Sequence, residues 1–374
     1  MDGTRTHPTN YELVGPIEAV GGFLNGSTDK EYVRIFGVIP ARHSFLLLER
    51  MREILTEPTV TEESLAREKE VVLNEIEERT EDFKAALDDF LYNAIWGDSS
   101  LGRTIGGSAD SLDRMDSCVM RKFLTEHVRP RNAVLSVAGR ISHEKLLHFL
   151  EEMPPTPAQD FPCLSAFVEA RRAGPSAQAR IKDVKQTYLG LGFAGVPWRS
   201  ASKYALLVMN ELLANSMSSR LYQRVRVEEG LAYHIWSHVR FLSNTGRVGL
   251  FFITEESDAL DALRIVVEEL RGMARGSQQI GGLEEAKERY IGQLELLYED
   301  TLELSLLAGK AGLYSDTRSF EEVCQEVRSV SLSDVSTLAS RIFVRENTHA
   351  ASICSPAMHD ELHHMTSILE ELHD

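Results

Sequence analysis

The densest pattern along the chain is a run of glutamates threaded by aliphatic residues, "REKEVVLNEIEE" (Arg67 to Glu78). At 3.6 residues per turn, Leu65, Val72 and Ile76 line one side and most of the glutamates face water, which predicts a solvated amphipathic helix. Glu68 and Glu75 are seven residues apart and share a face, with Val71 and Val72 between them. A carboxylate on or beside an apolar stripe costs free energy unless it is paired or holds a cation, so these two are candidates for more than solvation. Shorter apolar runs predict strands. "EYVRIFGVIP" precedes the helix-like "HSFLLLERMREIL", and "GRVGLFFIT" precedes "DALDALRIVVEELRGM". "AYHIWSHV" reads as a packed strand whose period of two puts His234, Trp236 and His238 on one face.

The pattern occurs twice. "SLAREKEVVLNEIEERTED" lies without a gap over "GLEEAKERYIGQLELLYED", matching Leu65 to Leu283, Lys69 to Lys287, Ile76 to Leu294 and Glu81-Asp82 to Glu299-Asp300. "RPRNAVLSVAG" has a counterpart in "VRENTHAASIC", both strand-like after a helix. A period above 200 residues is a duplicated α+β domain rather than a solenoid. Five of the twelve prolines fall between Pro154 and Pro175. Proline at that density breaks helix and strand alike and predicts a linker over 156–178, between an N-terminal domain at 1–155 and a C-terminal domain at 179–374. Where the first copy has Glu75, the second has Gln293. That difference is expected if only the first copy carried a metal-ligating carboxylate.

Composition narrows the partners. A chain of 374 residues suits two cores, and its 43% hydrophobic and 26% charged residues are those of a soluble globular protein with no apolar run of membrane-spanning length. The net charge of −17 argues against nucleic acid, whose binding needs Lys and Arg, and suits a basic or unfolded peptide. Cys118, Cys163, Cys324 and Cys354 are scattered without a CxxC pair, so neither a zinc knuckle nor a disulfide framework is expected, and a reducing, cytoplasmic setting is inferred.

Taken in order, "GGFLNGSTDKEY", "EKEVVLNEIEE", "SLGRTIGG", "RPRNAVLSVAG" and "MSSRLYQRVRVEEGLAY" resemble the pitrilysin/insulinase-type inverted zincins. That family includes insulin-degrading enzyme, the mitochondrial processing peptidases and bacterial relatives. The resemblance implies an α+β fold of two homologous domains, each a mixed sheet backed by helices, facing each other around a chamber. It also implies zinc held by two His of an H-x-x-E-H helix and by a Glu in "EVVLxE", which maps onto Glu75; Glu68 maps onto an upstream Glu that supports the ligands. A catalytic zinc keeps three protein ligands and one water whose pKa it lowers to about 7. Arg226 and Tyr233 have the spacing of the family's Arg and Tyr that hold the substrate backbone and help stabilise the tetrahedral intermediate; a helix-terminal Arg and a core Tyr are the plainer reading. "LNGST", with Asn25, Gly26, Ser27 and Thr28, matches the edge strand to which peptides add by backbone pairing, although Asn-Gly is equally a hairpin-turn signal.

One element of the family is absent. No H-x-x-E-H occurs, and Met1-Asp2-Gly3-Thr4 stands where relatives carry the segment that follows it. The expectation is that the motif lies upstream of Met1, that its strand and helix are missing from the first domain's core, and that the chain alone binds zinc poorly. A second His pair, His359 and His363 in "HDELHH", has zincin spacing but no evident third ligand, and reads as a solvated terminal helix. The segment "LLANSMSSRL" lacks the long glycine-rich loop of the noncatalytic processing-peptidase subunits. Two functions remain: a zinc metalloendopeptidase acting on unfolded peptides, inactive without the motif, or a noncatalytic peptide-binding or scaffold subunit. The implied partners are peptides and a second subunit, as homodimer or as heterodimer with a related peptidase chain.

Overall fold

The computed structural model describes residues 3–153, 174–276, 282–359 and 361–373. The chain begins with α1 (Asn10–Glu18), the strands β1 (Phe23–Thr28) and β2 (Val33–Val38), α2 (Ser44–Thr56), α3 (Glu62–Glu81) and α4 (Phe83–Trp96). Then come α5 (Ala109–Asp113), α6 (Ser117–His127) and α7 (His143–Glu151). The second half runs β3 (Ser176–Ile181), β4 (Gln186–Gly195), α8 (Lys203–Leu213), a π-helix (Tyr222–Glu228), β5 (His234–Phe241), β6 (Gly246–Glu255) and α9 (Ala259–Arg275). It closes with α10 (Leu283–Glu299), α11 (Thr301–Leu313), α12 (Phe320–Ser329), α13 (Leu332–Ile342), β7 (His349–Cys354), α14 (Pro356–His359) and α15 (Leu362–Glu370). The fold is α+β, and the repeated segments form the same elements in the same order: β2 and β6, α2 and α9, α3 and α10, α4 and α11. Of the expected linker, residues 156–173 lie outside the described residues, and from Ser176 the chain is already strand.

The compact units are not continuous stretches of chain. One comprises Met1–Glu77, Ile105–Pro162 and Glu295–Thr317; the other comprises Glu78–Thr104, Cys163–Leu294 and Arg318–Asp374. Helix α4, from the first half, thus belongs to the second unit, and α11, from the second half, belongs to the first. The matched Glu-Asp pairs follow a few residues after this exchange begins. Asp82 accepts hydrogen bonds from the N–H groups of Lys84 and Ala85 to cap α4. Asp300 does the same for α11 through Leu302 and Glu303. A carboxylate on the first free N–H groups of a helix both satisfies them and suits its positive end.

In the second unit the five strands form a mixed sheet in the order β3-β7-β4-β6-β5, with β3 and β7 parallel and the other pairs antiparallel. Helix α4 lies on one face. It comes close because β4 offers glycines there: a Cβ on Gly190 would stand 2.8 Å from Leu91, and one on Gly192 would stand 3.0 Å from Ile95. Leu91, Leu87, Phe251, Ala351 and Ile353 make the core on this side. Leu189, Leu191 and Phe193 alternate to the other face, where Phe193 meets Phe343 edge-on at 4.9 Å. There α9 and α13 pack, α9 burying Leu263, Val266, Val267, Leu270 and Met273 at helical spacing.

Fixing α4 to the sheet is Arg247, fully buried on β6. Its guanidinium donates to the Asp88 carbonyl at 3.1 Å, to the Asp88 carboxylate and to His238 Nε2, and lies 4.1 Å from the centre of the Tyr92 ring. Burial alone would raise the Asp88 pKa. The Arg247 charge and hydrogen bonds from its neighbours outweigh that and hold the carboxyl well below the usual range. Burial pushes the His238 pKa down, the hydrogen bond to Asp88 opposes that, and the Arg247 charge adds to the lowering.

The first unit is packed differently. Its ordered sheet is the antiparallel hairpin β1–β2, joined by a turn in which the Asp29 N–H donates to the Tyr32 carbonyl at 2.8 Å. Tyr314, just beyond α11, donates to Glu31 in the same turn at 2.7 Å. Residues 133–138, expected as a strand, carry no ladder. Their counterpart β7 is flanked by β3 and β4, whereas no strand lies beside 133–138 among the described residues. Val134 and Leu135 accordingly stay half exposed, as do Phe23, Val33, Val119 and Phe123.

Removing one partner of a buried ion pair costs about 3 kcal/mol. Asp88→Ala should therefore lower the unfolding free energy by about that amount in urea titrations, with Arg247→Met/Asp88→Leu together costing less than Asp88→Ala alone. Because the folded pKa of Asp88 is depressed, its stabilisation is complete above the unfolded value of about 4 and is lost as pH falls through the folded one. The urea midpoint of the parent should consequently drop more between pH 6 and pH 3 than that of Asp88→Asn.

Candidate peptide-binding and metal-ligand residues

Helix α3 forms as the pattern predicts, with Leu65, Val72 and Ile76 partly buried and Ser64 its one fully buried residue. Ile76 packs 3.2 Å from the position a Cβ on Gly106 would take, which places that glycine against the apolar stripe. On the shared face Glu68 is half-buried and Glu75 is exposed. Gln293, the counterpart of Glu75 on α10, is also exposed. Among the described residues no group of three His, Cys, Asp or Glu side chains is arranged to hold a metal. Catalytic zinc needs three protein ligands, so the described residues do not by themselves fit the ion.

His359 ends α14 and His363 lies in α15, with Asp360 outside the described residues. The expected solvated terminal helix is not freely solvated. Met365, Ile368 and Leu369 of α15 are buried, because an apolar stripe two turns long finds a partner in α9.

The "LNGST" segment is strand, not turn. Asn25, Gly26, Ser27 and Thr28 pair in register with Phe36, Ile35, Arg34 and Val33 of β2. The tertiary context overrides the Asn-Gly turn preference, and the reversal falls at Asp29–Tyr32 instead. With a sheet of two strands, β1 has one edge paired to β2 and no strand on the other among the described residues.

Arg226 sits in the π-helix, a rare conformation that recurs at functional sites. Neighbouring cations anchor that helix to α9: Arg224 bonds Glu269 and Glu268 at 2.7 Å each, and Arg220 bonds Glu269 at 2.9 Å. The Glu269 hydrogen bond is the main cause of a raised Arg224 pKa. Arg226, on another side of the helix, stacks on Tyr222 at 5.0 Å and pairs with no carboxylate among the described residues. The chain returns through Leu231, whose N–H donates to Val225 at 2.9 Å and whose carbonyl accepts from Thr254 at 2.6 Å. Tyr233 follows; its N–H donates to Ile253 at 2.8 Å while its side chain is 56% exposed. It is thus a surface group at the start of β5, not a core tyrosine.

A recess of about 490 Å³ lies between α4 and β5, its lining beginning one residue after Tyr233. His234, Trp236 and His238 line it from one face of β5, as their spacing predicts, and Lys84, Ala85 and Asp88 line it from α4. His234 is pushed below its ordinary pKa by burial, then by the charges of Lys84 and Arg226. The contribution of Lys84 and Asp88 was not foreseen from sequence. The available signal was the Glu81-Asp82 cap, which separates α4 from α3, but nothing in the order of residues tells which sheet α4 joins.

Metal content tests the α3 reading directly. The 374-residue chain, dialysed against metal-free buffer and analysed by elemental mass spectrometry, should retain well below one zinc per chain. Glu75→Gln, His359→Ala and His363→Ala should leave that content unchanged.

Comparison with known proteins adds to these observations. Residues 1–109 match the family model described as insulinase (peptidase family M16), and residues 117–290 match that described as the peptidase M16 inactive domain. An uncharacterized zinc protease of Bacillus subtilis is 28% identical over 356 residues, covering 95% of this chain and 86% of that protein. One from Streptomyces coelicolor is 27% identical over 354 residues, covering 92% and 76%. Among solved structures, a protease from Helicobacter pylori superposes with a TM-score of 0.87 at 19% identity, covering 95% of this chain and 86% of that one. A peptidase M16 inactive domain from Pseudomonas fluorescens gives 0.80 at 16%, also covering 95% and 86%. At those identities the superpositions establish the fold. The two family models, matched in order along both halves, complete the case: the chain belongs to the insulinase-type peptidase family M16.

Proposed function

We propose that this chain binds extended, unfolded peptides, with β1 in the first unit and the Arg226–Tyr233 segment in the second each a candidate peptide-binding surface, and that the 374 residues alone do not hydrolyse them. The observation that carries the reading is the placement of Asn25–Thr28 in a strand whose second edge is open among the described residues. Such an edge pairs with any extended backbone, which yields affinity without a fixed sequence. Arg226, without a carboxylate partner among the described residues, and the exposed Tyr233 supply donors for peptide carbonyls. In a zinc-loaded member of the family such donors would stabilise the oxyanion of the tetrahedral intermediate. Glu75 would be the carboxylate ligand and Glu68 its support, while the metal would supply an activated water. The histidine ligands are not among the groups α3 gathers, so the chain's own share of the chemistry is to bind and orient.

A second reading follows from the same incomplete ligand set: a noncatalytic subunit working beside a related, H-x-x-E-H-bearing chain. We place either form in the cytoplasm, in keeping with the free thiols of Cys118, Cys324 and Cys354. No helix among the described residues is long and apolar enough to cross a membrane.

Peptide binding is measured by fluorescence anisotropy with a labelled, unstructured peptide. Methylating alternate backbone nitrogens of the peptide removes the donors needed for strand addition and should weaken binding roughly tenfold, the worth of one to two hydrogen bonds. Arg226→Ala should weaken it by a similar factor. Equal affinity for the methylated and unmethylated peptides would rule out strand addition. Chelator-sensitive cleavage by the isolated chain would refute the noncatalytic assignment, and a defined dimer in light scattering would support the subunit reading.

A further inference from the structure

The recess between α4 and β5 is more specific than a backbone-binding groove requires. Three rings line up along its sheet side. Trp236 lies 5.2 Å from Phe251 at 13°, and His238 lies 5.1 Å from the same ring at 14°. The stack is nearly parallel and crosses two strands, because Phe251 leans over Gly249. Cations close both ends: Lys84 Nζ is 5.4 Å from the Trp236 ring centre, and the Arg247 guanidinium is 5.8 Å from that of Phe251.

The charges at the two ends differ in kind. Arg247 is neutralised by Asp88, the one carboxylate in the lining, and that carboxylate is taken up by Arg247 and His238. Lys84 pairs with no carboxylate among the described residues, nor does Arg226, and both lie near enough to His234 to lower its pKa. In a protein of net charge −17, two cations left without counter-ions beside an aromatic shelf mark a place prepared for an anion. A basic side chain would meet Lys84 head-on. An aliphatic one would use the rings but leave the exposed Lys84 ammonium without a counter-charge. At about 490 Å³ the space suits one aromatic side chain with a neighbouring short side chain.

We propose that this recess is a specificity site for acidic-aromatic peptide segments: an aromatic side chain lies along Trp236, and the carboxylate of an adjacent Asp or Glu is held by Lys84. The proposal rests on the peptide-binding reading above. It goes beyond that reading by assigning a sequence preference to a site that otherwise reads only backbone.

The test uses the full chain and three otherwise identical unstructured peptides carrying Asp-Phe, Lys-Phe or Asp-Ala at the centre. Anisotropy should rank Asp-Phe about tenfold tighter than either of the others. Lys84→Glu should reverse the order of Asp-Phe and Lys-Phe. A glutamate at the second residue of α4 suits the helix N-terminus, so this variant is expected to fold. Equal affinities for the three peptides, or a ranking unmoved by Lys84→Glu, would overturn the proposal while leaving general peptide binding intact. A second measurement is independent of strand addition. N-acetyl-Asp-Phe-amide should change the fluorescence of half-buried Trp236, the other tryptophans, Trp96 and Trp198, being buried. If the long peptides fail to bind but this small ligand does, strand addition fails and the recess stands; if the small ligand gives no saturable change, the recess assignment is wrong.

Discussion

The contact of buried Arg247 with Asp88 is the constraint on which the second unit depends. A guanidinium with no exposure is tolerable only if its charge is answered, and the answer comes from a helix that the chain made 159 residues earlier. The pair therefore specifies which helix covers this face of the sheet. The glycines at 190 and 192 permit the approach, Leu91 and Ile95 fill the space, and Arg247 fixes the register along the helix. Replacing Asp88 would leave the packing shape intact and remove what orients it.

Function inherits this arrangement. Because α4 is seated by Asp88, its preceding turn brings Lys84 over Trp236. Because Arg220 and Arg224 hold the π-helix to α9, Arg226 two residues on is left for other partners. In both places structural ion pairs engage some cations and leave a neighbour unpaired. That is a physical basis for distinguishing cations proposed to bind from anchoring ones when all are arginines and lysines in a sequence.

The two units divide the work in a way their packing explains. The second has a five-stranded sheet covered on both faces and holds side chains in defined places, which selectivity requires. The first presents a two-stranded ribbon with half-exposed apolar residues along it, and under the peptide-binding proposal its offer to a peptide would be backbone. Helix α3 supplies the first unit with the candidate carboxylates Glu68 and Glu75 but not the imidazoles that would turn them into a metal site.

The sequence alone determined what depends on local pattern: the helices α2, α3, α9 and α10, the strands β2, β5, β6 and β7, the α+β class and the duplication. It also singled out Glu68, Glu75, Arg226 and Tyr233, because motif and spacing are linear properties. It misjudged 133–138, since a strand exists only if another lies beside it, and it left Asn25–Gly26 undecided between turn and strand for the same reason. It read the segment of His359 and His363 as a solvated terminal helix, but α15 buries Met365, Ile368 and Leu369. Only the tertiary structure decided that α4 and α11 change units and that Lys84 meets Trp236. Each of these depends on a pairing between residues far apart in the chain, and hydrophobic period carries no record of which distant surface a face will meet.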